Sequence, residues 1–201
     1  MLTLYHAPKS RSTRILWLLE ELGAPYELVY VDIARMDGSG GPDPRNPHPD
    51  KKVPALVHDG TLVTESAAVV LYLTDLYPEA GIGRPIGDPE RGPYLTWLFY
   101  YAGVIEPVVH FHYFGLADNE ALRRTFRGKP ELDRRIADAL TAHPYLVGDR
   151  FSGADIMVVS LAQYARDMLP KGDVVDAYIE RCTTQRPAFA RAMAKDAKPA
   201  G

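Results

Sequence analysis

The chain has 201 residues, of which 46% are hydrophobic and 24% charged, with a formal net charge of −3. This is an ordinary globular composition, which excludes a disordered chain. The weak negative balance supplies no field for a nucleic-acid backbone or an anionic membrane surface. The single cysteine, Cys182, excludes an internal disulfide framework and a cysteine-only metal site, and it fits a reducing compartment. No apolar run approaches the ~20 residues of a membrane span. Residues 1–6 have neither the basic start nor the apolar core of a secretion signal, so a cytoplasmic protein is expected.

Leu2 to His6 alternates and is β-prone, which predicts a first strand. Ile15, Leu16, Leu18, Leu19 and Leu22 then recur at helical spacing, with Gly23 as a stop and Pro25 beyond it. Tyr26 to Val31 is a second β-rich run. Two such runs joined by a helix of about a dozen residues predict a βαβ unit with parallel strands. Residues 34–50 hold four Pro and three Gly, a long surface loop. Val53 to Val57 reads as a third strand and Leu62 to Thr64 as a fourth, with Asp59-Gly60 as the hairpin turn between them. Glu65 and Ser66 precede a helical run from Ala67 to Tyr77, which Pro78 ends.

Residues 79–90 concentrate Gly and Pro without periodicity, as a linker does. Beyond them nearly everything is helical. Arg91 to Phe114 is a long aromatic helix, and Pro107 inside it removes a backbone hydrogen bond and predicts a kink. Asn119 to Ala142 follows, broken near Gly128 and Pro130. Ser152 with Asp155 forms a variant capping box ahead of the apolar run Ile156 to Leu161. Asp173 to Cys182 and Arg186 to Lys195 are shorter terminal helices.

The first strand passes through residues 7–13 into the first helix. A helix N-terminus presents unpaired N–H groups and a partial positive charge, which stabilise an anion. Two hydroxyls, Ser10 and Ser12, stand there, and either could simply cap the helix. The order β-α-β, loop, β-β-α, with Val53-Pro54 at the third strand, resembles the thioredoxin-like fold. The resemblance implies a cis bond at that proline and an exposed backbone at the residue before it. Redox members of that fold carry Cys-x-x-Cys at the turn. Here the tetrad is Ser10-Arg11-Ser12-Thr13, so dithiol exchange is excluded and any reacting sulfur must come from the ligand.

With residues 5–14, residues 18–23, Lys51 to Leu56, Thr64 to Ala67 and Phe151 to Ile156 in this order, the whole chain resembles the cytosolic glutathione transferases. The nearest branch is the bacterial, theta-like one that uses a serine, and Tyr5 is expected to be packed structure. The resemblance implies an α/β thioredoxin-like domain over residues 1–78, a linker over 79–90 and an all-helical domain over 91–201. It implies that Ser10 contacts the glutathione sulfur, with Ser12 as its rival. It also implies that Val53, before Pro54, pairs its backbone with the cysteinyl part, and that Glu65 and Ser66 hold the γ-glutamyl end. Lys52, or Lys51, would meet the glycyl carboxylate. No helix can be placed in the Pro-rich stretch Gly41 to Asp50, which departs from the family pattern. Tyr101 and Ile105 of the first long helix would line a pocket for an apolar electrophile between the domains. His110 and His112 do not share a helical face, and no metal is called for. The expected partners are glutathione as co-substrate, a small electrophile and a second copy of the chain in a homodimer. Two rivals stand beside this reading: a glutathione-dependent isomerase or peroxidase on the same scaffold, and a non-catalytic binding protein.

Overall fold

The computed structural model describes residues 1–197. The chain divides into two compact units, one built from Met1–Ala80 together with the chain from Arg186 onward, the other from Gly81–Gln185. The boundary falls at the start of the Gly- and Pro-rich stretch. The last helix packs with the first unit rather than with the helical one to which its pattern assigned it.

In the first unit, β1 (Leu2–His6), α1 (Ser12–Leu22), β2 (Tyr26–Tyr30), β3 (Ala55–His58), β4 (Thr61–Val63) and α2 (Ser66–Leu76) follow in chain order. The sheet order is β2-β1-β3-β4. β1 and β2 are parallel, with Leu2 opposite Tyr26, as the βαβ pattern predicts. β3 runs antiparallel to β1, with Ala55 opposite Tyr5, and β4 antiparallel to β3, with Val63 opposite Leu56. α1 ends at Gly23, whose φ of 61° is the left-handed conformation that glycine adopts without a Cβ penalty. The Pro-rich stretch forms turns and no helix; it is organised by buried Asn46, whose side chain donates to Lys52 O at 2.9 Å and accepts from His48 N–H at 3.0 Å.

Ile15, Leu16, Trp17, Leu18 and Leu19 are all at most 1% exposed. So wide a buried surface needs more than a sheet, and both α2 and the last helix, α9 (Pro187–Asp196), pack on α1. Phe189 meets Trp17 edge to face, with ring centroids 5.0 Å apart. Arg186 makes a two-pronged contact with Glu21, 2.7 Å on each side, and Arg191 and Lys195 both reach Glu20.

In the second unit the long aromatic helix is interrupted. α3 (Arg91–Tyr100) passes into a π turn at Tyr101–Ile105 and then α4 (Glu106–Tyr113). Pro107 is the cause: its ring collides with the carbonyl four residues back, at Gly103, and a widened turn there relieves the collision. α5 (Glu120–Phe126) and α6 (Lys129–Ala142) are broken at Arg127 and Gly128, as the sequence predicts. α7 (Gly153–Val159) begins with the Ser152–Asp155 box. Buried Asp155 accepts from Ser152 N–H, Ser152 Oγ, Leu146 N–H and Tyr178 Oη, all within 2.9 Å. Cys182, at the end of α8 (Asp173–Cys182), is buried and in no disulfide. Among the described residues no helix is long and apolar enough to cross a membrane.

Candidate functional site

The strand directions gather the predicted residues at one end of the sheet. β1 runs into the turn at Ala7. β3 is antiparallel to it and starts opposite Tyr5, so Val53 and Pro54 lie beside that turn. Ala7, Val31 and Val53 form a small buried cluster, with Tyr5 packed against it. β4 reverses again and carries the chain to Glu65 and Ser66 at the same end. The Val53-Pro54 bond is cis, as the resemblance implies.

The turn separates the two serines by burial. Ser12 is fully buried at the start of α1, whereas Ser10 keeps part of its surface open. Ser10 Oγ lies 2.6 Å from Ala7 O and 2.8 Å from Ser12 Oγ, and it accepts from Ser12 N–H at 3.2 Å. It therefore satisfies one free amide of the helix start while remaining reachable. Ser12 Oγ accepts from Ala7 N–H at 3.2 Å and lies 2.7 Å from His6 Nδ1.

Two residues of this site carry no sequence signal. His6 is 0% exposed, and its Nε2 makes no hydrogen bond among the described residues. That nitrogen faces Asp196 Oδ1 at 3.4 Å, an ion-pair distance. Asp196, the last residue of α9, also accepts from Thr13 Oγ1 at 2.5 Å and from Lys9 N–H at 3.2 Å. Burial pushes the Asp196 carboxyl up, but the contacts from His6, Thr13 and Lys9 N–H outweigh it and hold the group below the ordinary carboxylate value. No helical or strand period points to a contact spanning 187 residues, as that between Lys9 and Asp196 does.

The Glu65 corner is built differently. Glu65 has φ 64° and ψ 119°, outside the ordinary regions for a residue with a Cβ, and Ser66 opens α2. Such strain, worth roughly 1–3 kcal/mol, collects at ligand sites. Among the described residues neither the Glu65 carboxylate nor the Ser66 hydroxyl has a hydrogen-bond partner, and the Val53 backbone has none either. The two lysines also differ. Lys51 Nζ donates to Asn46 O at 2.7 Å, while Lys52 is exposed with its ammonium uncommitted among the described residues.

Tyr101 and Ile105 are 0% and 1% exposed, and Tyr101 Oη lies 3.0 Å from Tyr164 Oη. Side chains with no accessible surface cannot line an open pocket, so the expected second-substrate role is corrected for both. His110 is spent on Glu106 O at 2.7 Å. Among the described residues no group of three or more metal-ligating side chains is gathered.

Comparison with known proteins places the family. Residues 1–75 match the model of the glutathione S-transferase N-terminal domain, and residues 105–185 that of the C-terminal domain. The chain is 29% identical over 168 residues to glutathione S-transferase GstA of Escherichia coli O157:H7, covering 81% of each chain. It is 30% identical to the crystal structure of a glutathione transferase from Methylococcus capsulatus, with a TM-score of 0.77 over 98% of both chains. A glutathione transferase homologue from Sulfitobacter with bound glutathione is 25% identical, with a TM-score of 0.70 over 97% of this chain and 98% of that one. The two matched domain models and these likenesses show that the chain belongs to the glutathione S-transferase family.

Proposed function

We propose that the protein binds glutathione at this end of the sheet and transfers its sulfur, as a thiolate, to small and largely apolar electrophiles. The observation that supports it most is the contrast at the turn: a reachable Ser10 hydroxyl at the start of α1, beside a sealed Ser12. The open groups match the tripeptide. Glu65 accepts from its ammonium, while Ser66 Oγ and the N–H groups opening α2 suit its α-carboxylate. The Val53 backbone pairs with the cysteinyl residue like an added strand, and Lys52 meets the glycyl carboxylate.

The energetics are sufficient. A free thiol has a pKa near ~8.5, and lowering it by about two units requires ~2.7 kcal/mol of preferential anion stabilisation. A hydroxyl donating to a charged sulfur contributes roughly 1.5–3 kcal/mol. The helix terminus adds roughly 0.3–1 kcal/mol. The thiolate attacks the electrophile, a carbon–sulfur bond forms, and the leaving group departs with its electron pair.

The test is turnover of glutathione with a chlorinated dinitrobenzene, an epoxide and a peroxide. Ser10→Ala should lower kcat about tenfold or more, equal to a loss of ~1.4 kcal/mol in the transition state, with an unchanged circular dichroism spectrum. Tight glutathione binding without turnover of any of the three would replace the enzyme by a binding protein. Turnover of the peroxide alone would move the reading to a peroxidase. The homodimer implied by the family is part of the same proposal, and light scattering on the eluting protein tests it.

A further inference from the structure

The groups behind Ser10 form a line of close contacts, hydrogen-bonded from Ser10 through Ser12 to His6 and extended to Asp196 at an ion-pair distance. Asp196 Oδ1 stands 3.4 Å from His6 Nε2, His6 Nδ1 stands 2.7 Å from Ser12 Oγ, and Ser12 Oγ stands 2.8 Å from Ser10 Oγ. The sequence of groups is carboxylate, imidazole, hydroxyl, hydroxyl, and only the last is open to a ligand. With its proton on Nε2, His6 faces this carboxylate with a hydrogen and turns the Nδ1 lone pair toward Ser12. Ser12 O–H then donates to Nδ1, and Ser12 Oγ is left to accept from Ala7 N–H and from Ser10.

We infer that this line is a proton path, in which His6 takes the proton of the glutathione thiol through Ser12 and Ser10, with Asp196 holding the resulting imidazolium. The inference rests on the glutathione reading above. The sulfur of a bound thiol gives its proton to Ser10 Oγ and keeps the electron pair. Ser10 passes its own proton to Ser12 Oγ, and Ser12 passes its own to Nδ1. Both hydroxyls are regenerated, and one proton has moved from sulfur to nitrogen. The hydrogen bonds reverse in the same motion. Before transfer Ser10 O–H points away from the ligand, toward Ser12 or Ala7 O; afterwards it points at the thiolate. Relay and anion stabilisation are thus two ends of one rearrangement. When the conjugate and its leaving group depart, His6 returns the proton along the same line to water.

The surroundings suit a transient buried cation. Asp196 faces His6 from α9, and Tyr30 of β2 presents its ring, with centroids 5.6 Å apart. Tyr30 Oη donates to Lys195 O at 2.8 Å, and the Lys195 ammonium is drawn off to Glu20 and Tyr26. His6, Ser12 and Asp196 are therefore positioning residues, acting on the substrate through Ser10.

Thiolate absorbance in the ultraviolet, combined with calorimetry of glutathione binding in buffers of different ionisation enthalpy, tests the path in the unmodified protein. At neutral pH the thiolate should form with far fewer protons released than thiolates made, since His6 retains them. Release of a full proton to the buffer for each thiolate would overturn the inference. His6→Gln and Asp196→Asn extend the test. The asparagine still accepts from Thr13 and Lys9 N–H, so a purely structural Asp196 predicts a titration like that of the unmodified protein. The path predicts that both variants need a pH about one unit higher, a roughly tenfold loss of thiolate at fixed pH. Titration of both variants like the unmodified protein would sink it. Failure of the underlying reading looks different: glutathione does not bind, or Ser10→Ala ionises the thiol as well as Ser10 does.

Discussion

The Ser10 turn and the Glu65 corner stand at one end of the same sheet and are finished to different degrees. At the turn, every polar group behind Ser10 already faces a partner, and one of them, Asp196, is supplied by the far end of the chain. At the corner, Glu65 is strained and its carboxylate has no partner among the described residues. Groups that control a proton must be fixed before the substrate arrives, because transfer requires short and aligned contacts. Groups that bind a charged end of a ligand must be left unsatisfied until it arrives, because a prior partner would compete. On the proposed function, the turn is the reactive end and the corner the recognition end.

The comparison breaks most visibly if α9 is loosened. Glu20 receives Arg191 Nε at 2.8 Å and Tyr26 Oη at 2.6 Å as well as Lys195, and its side chain is only 9% exposed. Glu20→Ala should cost on the order of 2–3 kcal/mol in urea denaturation. It should also lower kcat, because Asp196 is delivered by the same helix. Burial pushes the Glu20 carboxyl up, but Lys195, Tyr26 and Arg191 outweigh it and bring the group from 4.5 to about 2. A carboxylate lowered in the folded state contributes stability above its unfolded value and loses it as pH falls. Denaturation midpoints should therefore hold above pH 4.5 and decline from there toward about 2, and Glu20→Gln should flatten that decline.

At the corner the effect should appear in binding instead. Glu65→Ala should raise KM for glutathione about tenfold with little change in kcat, as expected for a lost charge-assisted hydrogen bond of ~1.4 kcal/mol or more. Glu65→Gly should raise KM equally yet increase stability by roughly 0.5–1 kcal/mol, because glycine adopts a positive φ without strain. Opposite signs in one residue would separate strain kept for binding from strain without a role; a fall in stability would refute that account. The smallest effect is at the lysines. Lys52→Met should raise KM about threefold, while Lys51→Met should disturb the loop through Asn46 and leave KM unchanged.

Much of this was legible in the chain itself. Strand alternation, the helical period of Ile15 to Leu22, Gly23, Asp59-Gly60 and the Ser152–Asp155 box are local signals, and local sterics and hydrogen bonding enforce them. These marked the elements, while the serine turn, the Glu65 corner and the cis bond at Pro54 came from the resemblance to a known family. Which aromatic residues of the long helix are open was not legible, because no period in this stretch distinguishes a sealed side chain from an open one; Tyr101 and Ile105 are sealed. The sequence by itself determined which groups stand at the mouth of the first helix and that no cysteine stands among them. Only the tertiary structure decided that Ser12 is sealed, that His6 lies behind it, and that Asp196 closes the line. Those facts depend on burial and on a helix returning from the far end of the chain, and no periodicity encodes a contact between residues so distant in sequence.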